Sequence, residues 1–240
     1  MRPLAAMLLV AASAASAQGL DRDTLLTDAP AVPPKGTVRI SGAGVATEKS
    51  DSSSSSFTGS VGWTPIDNLH GDVGAYFQSG AQGPAARVRY QLLNQRSHGL
   101  DLATGVRFKT VGFHPDQGEV EFLLAAGRRF GQFEMVLNGV FGVETGGESG
   151  KDIEAKAFAG WRFNDAVRAG IDGRLQAEVS DEAAPLAPVA TGRDYDLTVG
   201  PSVAWMVTRT IQLQALVGMA QPKKTANTSP VGVVYASIDF

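Results

Sequence analysis

The sequence predicts an all-β protein: a closed antiparallel barrel of about twelve strands that crosses a membrane, with ten or fourteen as neighbouring counts. Three observations predict it. From about Gly36 to Phe240, apolar and polar residues alternate in segment after segment, and a period of two marks a strand whose faces meet different surroundings. The connections between segments alternate between short and long, as they do in barrels that span a membrane. Beyond the first few residues there is no run of about 20 apolar residues, so a helical membrane protein is excluded while strands remain open.

The chain begins as an export signal would. Arg2 supplies the positive charge, Leu4 to Val10 the apolar stretch, and Ala15-Ser16-Ala17 the small-residue cleavage pattern. Residues 1–17 are therefore read as a signal peptide, with Gln18 as the new N-terminus. The absence of cysteine rules out a disulfide, a thiolate metal site and a lipid on cysteine. Residues 18–35 contain Ala29-Pro30, Pro33 and Pro34, which break regular structure. They are expected to be a proline-rich periplasmic linker, leaving 36–240 for the barrel.

A weak first strand lies near 37–48, where Gly42 and Gly44 blur its faces, and another weak one near 71–79. The others alternate cleanly. Phe57, Val61 and Trp63 face away from Thr58, Ser60 and Thr64, and Ala86, Val88 and Tyr90 away from Arg87, Arg89 and Gln91. Val106 and Phe108 oppose Asp101, Arg107 and Lys109, while Val120 and Phe122 oppose Glu119 and Glu121. Met135, Leu137 and Phe141 oppose Glu134 and Asn138; Ala155, Ala157 and Trp161 oppose Glu154, Lys156 and Arg162. Ile171 and Leu175 oppose Arg168, Asp172 and Arg174; Val199, Val203 and Trp205 oppose Asp194, Asp196 and Ser202. Ile211, Leu213 and Val217, then Val234, Ile238 and Phe240, complete the set. Pro201 interrupts a clear strand and removes a ladder donor, so a bulge is expected there.

Short connections fall at 65–69, 94–98, 128–131, 164–165 and 206–209. Longer ones fall at Ser50 to Ser56, 80–84, 110–118, 144–151, 179–193 and 220–230. An even strand count places both termini on the short-turn side. Alternation alone would also suit a soluble sandwich or lipocalin-like barrel. Charge concentrated on one face and almost absent from the other decides for lipid, as do Trp63, Trp161 and Trp205 on the apolar face beside short turns. With Phe240 they form an expected aromatic ring at one membrane interface. Ending on Phe240 after apolar or small residues at 232, 234, 236 and 238, the sequence resembles the bacterial outer-membrane β-barrel proteins. The resemblance covers about 36–240 and is one of pattern, so it points to a class and no particular family. It implies a place in the cell outer membrane with both termini periplasmic, contact with outer-membrane lipid, and recognition of the last strand by the barrel-assembly machinery.

A net charge of −3 without long charged runs gives nucleic acid nothing to bind. Two kinds of enzymatic outer-membrane barrel, the twelve-stranded phospholipases and the lipid A deacylases, use a histidine and a serine two apart on one strand; here His70, His98 and His114 are followed at that spacing by Asp72, Leu100 and Asp116. They read as solvated turn or loop histidines, and no enzyme is expected. Asp181-Glu182 and the Glu144 to Asp152 loop lack calcium-loop spacing, and Gly42-Ala43-Gly44 has Thr47 where a dinucleotide motif needs glycine. No metal or cofactor is expected. An autotransporter-type plugging helix is set aside, because only the proline-broken 18–35 precedes the barrel.

The expected lumen-lining residues are Arg87, Arg89, Arg107, Lys109, Glu119, Glu121, Glu134, Glu154, Lys156, Asp172 and Arg174. Charge pairing predicts Lys109 opposite Glu119 and Arg107 opposite Glu121, and likewise Glu154 opposite Arg174 and Lys156 opposite Asp172. Narrow channels for acidic sugars have arginine-dominated lumens, and this mixture of signs departs from them. The expected function is a small porin-like channel for small polar solutes. The alternative is a non-conducting structural or adhesive barrel presenting surface loops, its charges paired across the interior.

Overall fold

The structure, a computed structural model, describes residues 20–49, 52–78, 81–112, 114–145, 150–179, 195–222 and 227–240. Residues 1–17, Gln18, Asp181-Glu182 and Asp194 lie outside them. Twelve strands run in chain order: β1 Val38–Lys49, β2 Ser52–Ile66, β3 Leu69–Gln78, β4 Ala81–Leu93, β5 Asp101–Val111, β6 His114–Phe130, β7 Phe133–Glu144, β8 Lys151–Arg162, β9 Val167–Glu178, β10 Tyr195–Met206, β11 Ile211–Gln221 and β12 Ser229–Asp239. One helical turn, α1 Gln95–His98, follows β4.

Each strand pairs antiparallel with its neighbours in sequence, and β12 pairs with β1 to close the barrel. Phe240 continues that seam: its N–H donates to Val38 O at 2.8 Å, and Val38 N–H donates back at 3.1 Å. Closure leaves no sheet edge unpaired. β7 shows why these residues make strands: Met135, Leu137 and Phe141 are exposed on the outer face, while Glu134, Val136, Asn138 and Val140 are buried within.

The strands run further into the loops than the alternation indicates. β2 begins at Ser52, β4 at Ala81, and β5 and β6 are separated only by residues 112–113. Continuing the ladder keeps backbone groups paired where isolated loops would leave them to water. Pro201 is accommodated without a bulge. Thr198↔Ala220, Val199↔Met219 and Ser202↔Leu216 keep one register, and the proline ring is exposed on the outer face. A Cβ on Gly200 would sit 2.6 Å from Gly218 Cα, so paired glycines let the two strands close in beside the missing donor.

The β5–β6 register is Lys109↔Glu119 and Arg107↔Glu121, as charge pairing predicts. The β8–β9 register is not. It sets Glu154 opposite Gln176 and Lys156 opposite Arg174, two residues away from the predicted pairing. The turn fixes this: Asn164 Oδ1 accepts from Ala166 N–H and Val167 N–H, both at 2.8 Å.

The largest departure concerns 18–35. Its described part, 20–35, is no external linker but lies inside the barrel, with Leu20, Thr24, Thr27, Asp28, Ala29 and Ala31 buried. Leu25 and Leu26 pack on Leu216, Val231 and Val233, and Leu20 joins Val136 and Phe158. Part of the inner wall is therefore apolar.

Candidate functional site: the lumen and its N-terminal lobe

Residues 20–35 form a re-entrant lobe. Gly36 N–H donates to Thr64 O at 2.8 Å and fixes the lobe's foot beside the end of β2. The chain rises into the barrel and turns at its tip, where Thr24 N–H donates to Thr27 O at 2.9 Å; at the base Ala31 N–H donates to Leu20 O at 3.2 Å. Both arms thus end at the short-turn side.

Asp28 sits at the tip among cations from three strands. Its Oδ1 accepts from Arg87 and, at 3.0 Å, from Arg107; its Oδ2 accepts from Lys156 Nζ at 3.1 Å. Its backbone is held as well: Asp28 N–H donates to Asn138 Oδ1 at 2.6 Å, and Asn138 Nδ2 donates to Asp28 O at 3.0 Å. Asp23 accepts from Arg87 and Arg89, each at 2.9 Å. Burial works against both carboxylates, but the neighbouring cations outweigh it and hold each below the usual carboxylate range: Lys156, Arg107 and Arg87 for Asp28, Arg87 and Arg89 for Asp23. Thr24 Oγ1 donates to Asp172 Oδ1. At the base, Arg22 and Arg39 both meet Asp239, at 2.6 and 2.7 Å.

All eleven expected lumen residues lie on the inner face, in four groups. Arg87, Arg89, Arg107, Lys156 and Asp172 hold the lobe. Lys109, Glu119 and Glu121 form a wall cluster, with Lys109 Nζ 2.7 Å from Glu119 and 3.0 Å from Glu121. Glu154 joins Lys156 at 3.1 Å and also Arg174, which relieves the like-charged cross-strand pair. Glu134, fully buried, accepts from Arg129 and Arg168 near the short-turn side. Trp63, Trp161, Trp205 and Phe240 stand on the outer face, 55, 47, 50 and 71 % exposed. His70 is not a solvated turn residue: it lies on β3, is buried, and its Nδ1 pairs with Thr64 Oγ1 at 2.9 Å. The residues that the sequence reading missed are Asp23, Asp28 and Thr24 on the lobe. The signal was an acidic segment ahead of a barrel whose β4 carries Arg87 and Arg89 side by side.

On the loop side of the tip lies a cavity of about 550 Å³. Asp23 to Asp28 form its floor. Arg87, Arg107, Lys109 and Lys156 line one wall; Ser41, Ser56, Thr58 and Ser60 line another, with Tyr76 and Tyr235.

No family model matches the chain, and no curated protein matches it in sequence. Solved structures do match in shape. The NanC porin aligns with a TM-score of 0.62 at 8 % identity, over 83 % of this chain and 98 % of that one. The KdgM porin aligns at 0.59 and 9 %, over 84 and 99 %. The KdgM porin in complex with disordered oligogalacturonate aligns at 0.58 and 10 %, over the same shares. The fold is that of an outer-membrane β-barrel. At such identities the likeness carries the backbone arrangement and no residue, so the barrel's chemistry has to be read from its own lumen.

Proposed function

We propose that the protein is a small porin-like channel of the outer membrane for small polar solutes, with the short turns and both termini on the periplasmic side. The observation that carries this reading is the cavity of about 550 Å³ inside the closed barrel, into which charged and hydroxyl side chains project. A solute entering from the loop side meets hydroxyl groups on one wall and Arg107 and Lys109 on the other. The outer face supports the membrane setting. Phe57, Val73, Phe122, Leu137, Ile171 and Val217 are exposed on successive parts of the barrel, an apolar belt that suits lipid and not water.

The acidic sugar chain named with one KdgM structure is not carried over as a solute. Here Asp72 lines the cavity beside the cations, and Glu119 and Glu121 pair with Lys109. A closed, purely structural barrel would need charges pairing across the interior from wall to wall. What fills this lumen is instead the segment 20–35, and the cavity persists beyond it. Purified protein in a planar bilayer tests the reading. Discrete conductance steps are expected, and their absence from protein shown to be inserted by heat-modifiable mobility would refute it.

A further inference from the structure

The lobe occupies the lumen from the short-turn side up to Arg87, Arg107 and Lys156, near the middle of their strands, so it stands in the path that a channel would use. We propose that residues 20–35 are a gate hinged at Lys35-Gly36, and that Asp23 and Asp28 are its latch. The inference rests on the channel reading above.

The first argument is connectivity. Both arms of the lobe end at the short-turn side, and the chain passes from it to β1 through Gly36, whose φ is +88° and where an added Cβ would meet nothing within 4 Å. A glycine in the left-handed region with open space around it can change its torsions at little cost. The lobe can therefore leave by the way it comes in, without threading past a strand.

The second argument is that the wall does not depend on the lobe. The ladder closes through β1 and β12 on its own. More telling, most cations on the lobe have a second acid on the wall. Arg87 donates to Asp72 at 2.9 Å, Arg107 lies 2.8 Å from Glu121, and Lys156 lies 3.1 Å from Glu154. Removing one partner of a buried ion pair is ordinarily costly because it strands a charge. Here the stranded charge is already shared, so the undocked state keeps its cations paired. Arg89 is the exception: Asp23 is its carboxylate partner among the described residues, and withdrawal of the lobe would open its side chain to water. Two states with comparable pairing are what a switchable element requires.

The third argument is the position of the latch. Asp23 to Asp28 make the floor of the cavity, so the groups that hold the gate are those that a solute reaches at the bottom of the vestibule.

The test uses full-length protein in planar bilayers and exploits the absence of cysteine. Thr24→Cys with Asp172→Cys joins the lobe to β9, since those side chains are in hydrogen-bonding contact. Bond formation is read from the loss of thiol labelling, and folding from heat-modifiable mobility. The oxidised protein is expected to show no openings, and the same protein after reduction to show them. In parallel, D23N/D28N is expected to raise the open fraction about tenfold, because the docked state loses its charge pairing while the released state does not. Openings of equal frequency in the oxidised, reduced and D23N/D28N proteins would overturn the gate and leave the channel standing. Inserted protein that conducts in none of these states would overturn the channel reading itself.

Discussion

Asp28 is a carboxylate placed where burial alone would neutralise it, and it stays charged because Arg87, Arg107 and Lys156 surround it. Its bond to the lumen therefore has a sign that pH can read. The docked carboxyl titrates below its ordinary value, so its contribution to docking is complete above about pH 4 and falls as pH drops through and below that point. With Thr27, which is 2 % exposed, replaced by cysteine, the labelling rate reports undocking. Labelling by a pyridyl disulfide that reacts in acid is expected to stay flat from pH 8 to 5 and to rise below about pH 4. A flat rate through pH 3 would remove Asp28 and Asp23 as the latch. In the same reporter, D28N and K156M should couple by about 0.5–3 kcal/mol, the double variant docking better than the two single losses sum to. Gly127 probes the apolar side of the seat. A Cβ there would stand 2.5 Å from Pro30 Cγ and 2.8 Å from Leu20 Cδ1, so G127V should speed labelling at residue 27 while heat-modifiable mobility is unchanged.

At the level of the elements, alternation made the strands legible, because lipid outside and water or charge inside write opposite residues on alternate positions. It gave the inward set that includes Arg87, Arg107, Lys156 and Asp172, and the outward set that includes Trp63, Trp161 and Trp205. Register was legible only where the two strands supply all the partners. Lys109 and Arg107 find Glu119 and Glu121 directly across, so local charge decides. Between β8 and β9 it fails, because Lys156 also answers to Asp28, a residue over a hundred positions away with no periodic signal of its own. The turn then sets the register against local charge. N164A removes both side-chain bonds that shape it and should lower the stability of the folded barrel by about 1–2 kcal/mol, read as an earlier midpoint in urea unfolding from detergent micelles. An unchanged midpoint would mean that the strands, not the turn, hold the register. The lobe was illegible for a related reason: Pro30, Pro33 and Pro34 truthfully forbid a helix or strand, and nothing local distinguishes an irregular segment outside a barrel from one bonded inside it.

For the molecule as a whole, the closed ladder separates two problems that a soluble protein solves together. Outside, burial is left to the surroundings: Phe57, Val88, Leu124, Leu137, Ile171, Val217 and Val234 are exposed at 40 % or more. Inside, ion pairs and a tethered lobe take the place of a wholly apolar core. The outer face also has a polarity along the barrel axis. Trp63 stands just before the β2–β3 turn, Trp161 before the β8–β9 turn and Trp205 before the β10–β11 turn, the side where the lobe has its foot. An indole combines an apolar body with an N–H donor, so it is most stable where acyl chains give way to headgroups. If the barrel spans a bilayer with this side at one interface, all three tryptophans lie at similar shallow depth although their strands are far apart in sequence. Single-tryptophan proteins, each made by changing the other two to phenylalanine, can be reconstituted with lipids brominated near the headgroup or near the chain end. Each is expected to be quenched more by the shallow bromine than by the deep one, and to a similar extent. Quenching of one tryptophan mainly by the deep bromine would tilt the barrel out of the proposed orientation. Fluorescence insensitive to both lipids in all three would place the apolar belt somewhere other than a bilayer, and the channel reading would fall with it.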